Sequence, residues 1–186
     1  MFNENSRSHA YALRPILAAA MIVFAAAVRI APHPWNFTPI GAMALFSGAI
    51  FRDRRIAILF PLLALFAGDL FVGLYWIMPV VYVSFLLNVL IGRWLAGKRS
   101  VAGVGGAVLL GALQFFLVTN FAMWLAYDTF PRSFAGLGAC YLAGLPLFGN
   151  TLTGDVVYAT LFFGLFALAE RQWPALREPA AGHTAS

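Results

Sequence analysis

Charge is scarce in this chain, and cysteine is scarcer. Asp, Glu, Lys and Arg together make up 10% of the 186 residues. An ordinary soluble domain carries about 25%. So few charges do not cover the surface of a water-soluble ball of this size, which excludes a soluble globular enzyme. Hydrophobic residues at 62% exclude a disordered chain as well. The single cysteine, Cys140, excludes an intrachain disulfide. HExxH, CxxC, Walker and dinucleotide-type glycine motifs are all missing, so neither a bound metal nor a cofactor is expected. The net charge of +5 would suggest nucleic acid in a soluble protein. Here the placement of the charges matters more, and no nucleic-acid partner is expected. The expected solvent is the lipid bilayer.

What is present is a series of long apolar runs. A helix needs about 20 apolar residues to cross about 30 Å of hydrocarbon. Five runs reach or approach that length: Leu13–Ile30, Ile56–Trp76, Pro79–Leu95, Val101–Ala126 and Thr151–Ala169. A sixth, Pro39–Phe51, is short. The basic residues divide between alternate loops. Arg7, Arg14, Arg52, Arg54, Arg55, Arg93, Lys98, Arg99, Arg171 and Arg177 lie on one side, ten of the twelve; only Arg29 and Arg132 lie on the other. The positive-inside rule places the ten in the cytoplasm. The expected fold is therefore all-α, a polytopic bundle of six transmembrane helices with both termini cytoplasmic. Residues 13–170 form the membrane domain, with cytoplasmic tails at 1–12 and 171–186. A rival reading takes Arg7, Arg14 and the stretch to Ala25-Ala26-Ala27 as a signal peptide with its cleavage site.

Polar side chains within hydrocarbon are costly, and ionisable ones point to function. Counted at about 1.5 Å per residue, Asp69 lies about 10 Å below the outer surface, with Thr119 and Asn120 at a similar depth. Asp155 is slightly shallower, Asn88 is near the midplane, and Gln114 is the deepest polar group of its span. The inner half is nearly all Ala, Leu, Phe, Val and Gly. That asymmetry suits a blind cavity open to the outside better than a through-channel, which needs polar lining from end to end. The first outer loop, Ala31-Pro32-His33-Pro34-Trp35-Asn36-Phe37-Thr38-Pro39, reads as a rigid cap, with Thr38 capping the short helix and Pro39 at its first position. The apolar, glycine-bearing stretch Phe134–Phe148 reads as an outer-interface segment or lid, and Asn150 as the cap of the sixth span. Candidate solute-binding residues are His33, Trp35, Asn36, Asp69, Thr119, Asn120, Trp124, Asn150 and Asp155. The alternative for the two aspartates is structural, with each locked by Arg29 or by backbone donors. The two Gly-Asp pairs, Gly68-Asp69 and Gly154-Asp155, also admit an intramembrane aspartyl protease.

The stretches Pro32–Ala42, Thr119–Trp124 and Asn150–Asp155 resemble the motifs of an uncharacterised bacterial membrane family described as transport proteins. More distantly, the size and six-span layout are similar to the substrate-binding S-components of energy-coupling-factor transporters. These resemblances imply a bundle in the cytoplasmic membrane that takes a vitamin-like molecule or metal ion from outside. They also imply a membrane energising partner with ATPase subunits. S-components often carry an Ala-xxx-Ala docking face on the first helix, whereas the alanine triplets here, 18–20 and 25–27, repeat at seven. A ligand-free membrane scaffold or assembly subunit is the competing expectation.

Overall fold

The structure, a computed structural model, describes residues 20–21, 23–25, 27–29, 31–97 and 99–172. Both expected tails (apart from Arg171 and Gln172), residues 13–19 of the first span and part of the expected cleavage site lie outside them. Every regular element among the described residues is helical. A first helix, α1, covers the described residues within 20–29. It is followed by α2 (Ile40–Ile50), α3 (Arg54–Val72), α4 (Met78–Trp94), α5 (Val101–Ala126) and α6 (Phe134–Gln172). Of these, α3, α5 and α6 are long and apolar enough to cross a membrane, while α2 and α4 are shorter apolar helices.

The helix α2 forms the centre of the bundle. Its sequence is apolar on every side, and a helix apolar all round is buried. Ile40 through Ala49 are all buried. Its most extensive neighbour is α4, followed by α3 and α6. Glycines set the α2–α4 distance. A Cβ on Gly48 would overlap the Val89 carbonyl, and one on Gly92 would overlap the Leu45 carbonyl. The two backbones therefore touch at two points, the small-residue contact that membrane helices use in place of a hydrophobic drive. Ser47, fully buried, donates to the Ala44 and Ala57 carbonyls at 2.9 Å and ties the end of α2 to the start of α3.

The outer surface of the bundle is oily. Along α3, Ile56, Leu59, Leu63, Phe66 and Leu70 recur at helical spacing, all exposed. Leu109, Leu113, Leu117 and Phe121 do the same on α5, as do Val157, Leu161, Leu165 and Leu168 on α6. Such a face fits hydrocarbon and not water. The starts of α3, α5 and α6 are capped by local side chains. The Asp53 carboxylate accepts from the Arg55 amide at 2.7 Å, Ser100 from Gly103 at 3.0 Å, and Ser133 from Gly136 at 3.1 Å. One end of the bundle carries Arg52, Arg54, Arg55, Arg93, Arg99 and Arg171. The opposite end carries loop 31–39, residues 73–77 and the turn 127–133, with Arg29 and Arg132 its only described basic residues apart from histidine.

Three expectations need correction. The last helix begins at Phe134, not at Thr151. Phe134–Phe148 is therefore the opening of α6 and not a separate lid, and Asn150 lies inside the helix and caps nothing. The glycines that suggest a loop are close-contact points: Gly136 makes room for the Pro131 carbonyl and Gly144 for the Asn120 side chain. Third, the α2 N-cap is Pro39, with no side-chain cap bond, so Thr38 does not serve there.

The α2–α4 crossing generates the first prediction. Gly48→Leu and Gly92→Leu each force two backbones apart and should destabilise the protein by about 2 kcal/mol or more. Gly106→Ala, where an added Cβ meets open space, should change stability by no more than about 1 kcal/mol. Thermal unfolding in detergent compares the three.

Candidate functional site

The nine candidate residues fall into three contact groups at the arginine-poor end. The first is built on Asp69, near the end of α3 and fully buried. One of its oxygens pairs with Arg29 of α1, and the other accepts from the Tyr82 hydroxyl of α4 at 3.0 Å. The Arg29 side chain crosses the α3 backbone at Gly68, where a Cβ would overlap its methylenes. The Tyr75 hydroxyl lies beside the same guanidinium. Residues from α1, α3, α4 and the 73–77 loop thus meet on one carboxylate. The Arg29 Nε remains without a partner among the described residues.

The second group joins loop 31–39 to α6 and to the start of α2. A helix start leaves its first amides without intrahelical acceptors, and α2 starts inside the bundle without a cap from its own sequence. Asp155 of α6, at 2% exposure, fills that role and accepts from the Ala42 amide. Its carboxylate lies so close to Gly41 that a Cβ there would overlap it. The position also suits the positive end of the α2 dipole. Asp155 Oδ2 has no hydrogen-bond partner among the described residues. Just above, Gly154 lets the Phe37–Thr38 backbone rest on α6. The Asn150 amide donates to the Trp35 carbonyl at 3.0 Å. Phe37 packs on Tyr158 with ring centroids 5.7 Å apart. Within the loop, Asn36 adopts φ +65°, a left-handed conformation that Asn tolerates better than most residues. His33 Nδ1 bonds the Ala31 carbonyl at 2.6 Å, and the Trp35 side chain is exposed, at 81% for the residue.

The third group seals α5 against the opening of α6. Thr119 and Asn120 donate to carbonyls four residues back, at 2.7 and 2.8 Å. Asn120 also lies against Gly144, and its own carbonyl receives the Cys140 thiol at 3.5 Å. The Trp124 indole donates to the Pro131 carbonyl at 2.9 Å, under the guanidinium of Arg132. A fourth polar cluster lies lower: Gln114 donates to the Ser84 carbonyl and to Asn88 Oδ1, at 2.9 and 2.8 Å.

The structure therefore brings His33, Trp35, Asn36, Asn150 and Asp155 to one junction. It places Asp69 in a second cluster and Thr119, Asn120 and Trp124 in a third. Sequence reasoning missed Tyr82, Tyr75, Phe37 and Tyr158 as partners. Gly41, within the first turn of a buried helix, was the one available hint that something approaches α2 closely. An apolar groove of about 330 Å³ opens between α4 and α5, lined by Trp76, Ile77, Pro79, Val80, Ala122, Leu125 and Ala126. None of the nine candidates lines it. No group of three or more His, Cys, Asp or Glu able to hold a metal occurs among the described residues.

A family model matches residues 10–176. The chain belongs to a family of unknown function, DUF6580. No curated protein and no solved structure matches it.

The Arg29–Asp69 pair generates the second prediction. Arg29→Met strands a buried carboxylate and should cost about 3–5 kcal/mol. Arg29→Met combined with Asp69→Leu should recover much of that loss. Unfolding of both single variants and the double variant yields the coupling energy, and additive losses would mean that the pair is not a lock.

Proposed function

We propose that this protein is a membrane transport protein, or the substrate-binding subunit of one, that captures a small solute from outside at the junction of loop 31–39, α2 and α6. The observation that carries this reading is the buried Asp155 carboxylate. One oxygen caps α2 and the other has no described partner. An ionisable group left incompletely paired inside a bundle marks a functional site by default. The loop over it, with an exposed tryptophan and a backbone fixed by Asn150, supplies a cover at the open end. In this reading all six helices lie in the cytoplasmic membrane, with the arginine-rich end and both termini facing the cytoplasm. Energy comes from an ion gradient or from a membrane partner with ATPase subunits, the arrangement that similarity to S-components implies.

A scaffold or assembly subunit without ligand is the second reading. It is favoured by the internal partners of Asp69, Thr119 and Asn120. The protease reading asks two carboxylates to share a proton. Here Asp69 contacts Arg29 and Tyr82 while Asp155 contacts Ala42.

Native mass spectrometry of the detergent-purified chain tests capture. A co-purifying small molecule is expected, and it should be lost in Asp155→Asn and reduced in Trp35→Ala. Protein of bare mass under all conditions, with Asp155 and Asn120 tolerating apolar replacement, would favour the scaffold. Orientation is tested in a Cys140→Ala background: Trp35→Cys should react with an impermeant thiol reagent added outside, and Arg99→Cys only after the membrane is opened.

A further inference from the structure

We infer that the solute taken at the α2–α6 junction is a small organic cation, an ammonium group on a compact apolar body. This rests on the capture reading above and deepens it by fixing the ligand class. The charge balance at the junction is one-sided. Asp155 meets Gly41 and Ala42 of α2, and the neighbouring Gly154 meets the Phe37–Thr38 backbone; among the described residues these contacts include no Lys or Arg, and the one imidazole of the loop, His33, bonds the Ala31 carbonyl instead. Arg29 is held by Asp69 on α3. Arg132 is held by Asp128 and by the Trp124 ring.

An anionic solute finds the positive end of α2 already taken by a carboxylate, which repels it. A hard metal ion fits no better. Calcium takes six to eight oxygens and magnesium a full octahedron, whereas no cluster of three His, Cys, Asp or Glu exists among the described residues. An organic ammonium needs less: one acceptor for its charge and aromatic faces for its body. Both are present. Tyr158 lies three residues after Asp155, on the same side of α6. Around it stand Phe37 at 5.7 Å, Phe24 at 6.2 Å and Phe162 at 6.3 Å between ring centroids. Trp35 stands exposed on the loop above. A partly unpaired carboxylate beside such a cluster matches the chemistry of an ammonium.

Choline and its uncharged isostere 3,3-dimethyl-1-butanol separate charge from shape. The full-length protein in detergent is titrated with each and read by calorimetry and thermal unfolding. Choline should bind saturably and raise the unfolding temperature, with a Kd at least about tenfold below that of the alcohol. Asp155→Asn, which keeps a carbonyl oxygen for the Ala42 amide, should erase that preference. Tyr158→Leu should weaken choline binding with the carboxylate intact, and it serves as the second variant if Asp155→Asn fails to fold. Equal or tighter binding of the alcohol overturns the ammonium assignment and leaves capture standing. A co-purified molecule without a cationic nitrogen does the same. Absence of choline binding to folded protein overturns the assignment, and if nothing co-purifies either, capture falls with it.

Discussion

A helix that starts inside a bundle, away from water, must find acceptors for its first amides within the protein. The α2 helix is in that position, because it is too short to carry its start to the bundle surface and its own sequence offers no side-chain cap. Asp155 supplies the acceptor from α6, more than a hundred residues along the chain. In a low-dielectric interior an unmet amide costs more than it does at a water-exposed helix end. Much else at this end of the molecule follows from that contact. Residue 41 lacks a Cβ to admit the carboxylate, and residue 154 lacks one to admit the loop backbone. The loop then rests on α6 through Asn150 and Tyr158. The start of α2, this face of α6 and the loop thus meet around one carboxylate.

The second carboxylate is used differently. Asp69 gathers α1, α3 and α4 through Arg29 and Tyr82. A buried ion pair is weak evidence for net stability, but removal of either partner leaves a stranded charge. Two Gly-Asp sequences that look alike in the chain therefore do different work. In each, the glycine gives passage to what crosses the helix: an arginine side chain at Gly68, a loop backbone at Gly154. The likeness lies in the steric problem solved and not in a shared site.

Much of the helix layout was legible in the sequence because its signals are strong and local. Val101–Ala126 is read residue for residue, and Pro79–Leu95 lies one residue from α4, where Pro79 marks the first turn. The short second helix is found because Pro39 and the Arg52–Arg55 cluster bracket it. The start of α6 is misread because Gly136, Gly138, Gly144 and Pro146 are breaker signals when no partner is in view. Only the folded chain shows two of them as places of contact, Gly136 against the Pro131 carbonyl of the preceding turn and Gly144 against Asn120 of α5, with Ser133 supplying the cap. For the site, residue type was informative and grouping was not. Depth along a helix does not say which face a side chain occupies, so Asp69, Asn120 and Asp155 share a level and yet have different partners. The pairing of Arg29 with Asp69 and of Asp155 with a backbone amide was open to sequence reasoning as an alternative. The aromatic company of Asp155 was not, since Phe24, Phe37 and Tyr158 meet only through the fold.

At about 58 Å, α6 is nearly twice as long as the hydrocarbon is thick. Pro146 lies within it, residues 147–172 match α5 in length, and the turns before the proline pack along the upper part of α5. Proline offers no amide, so the carbonyl of Leu142 has already lost its rung in the ladder. A bend at that joint therefore disrupts one backbone bond fewer than a bend elsewhere in α6.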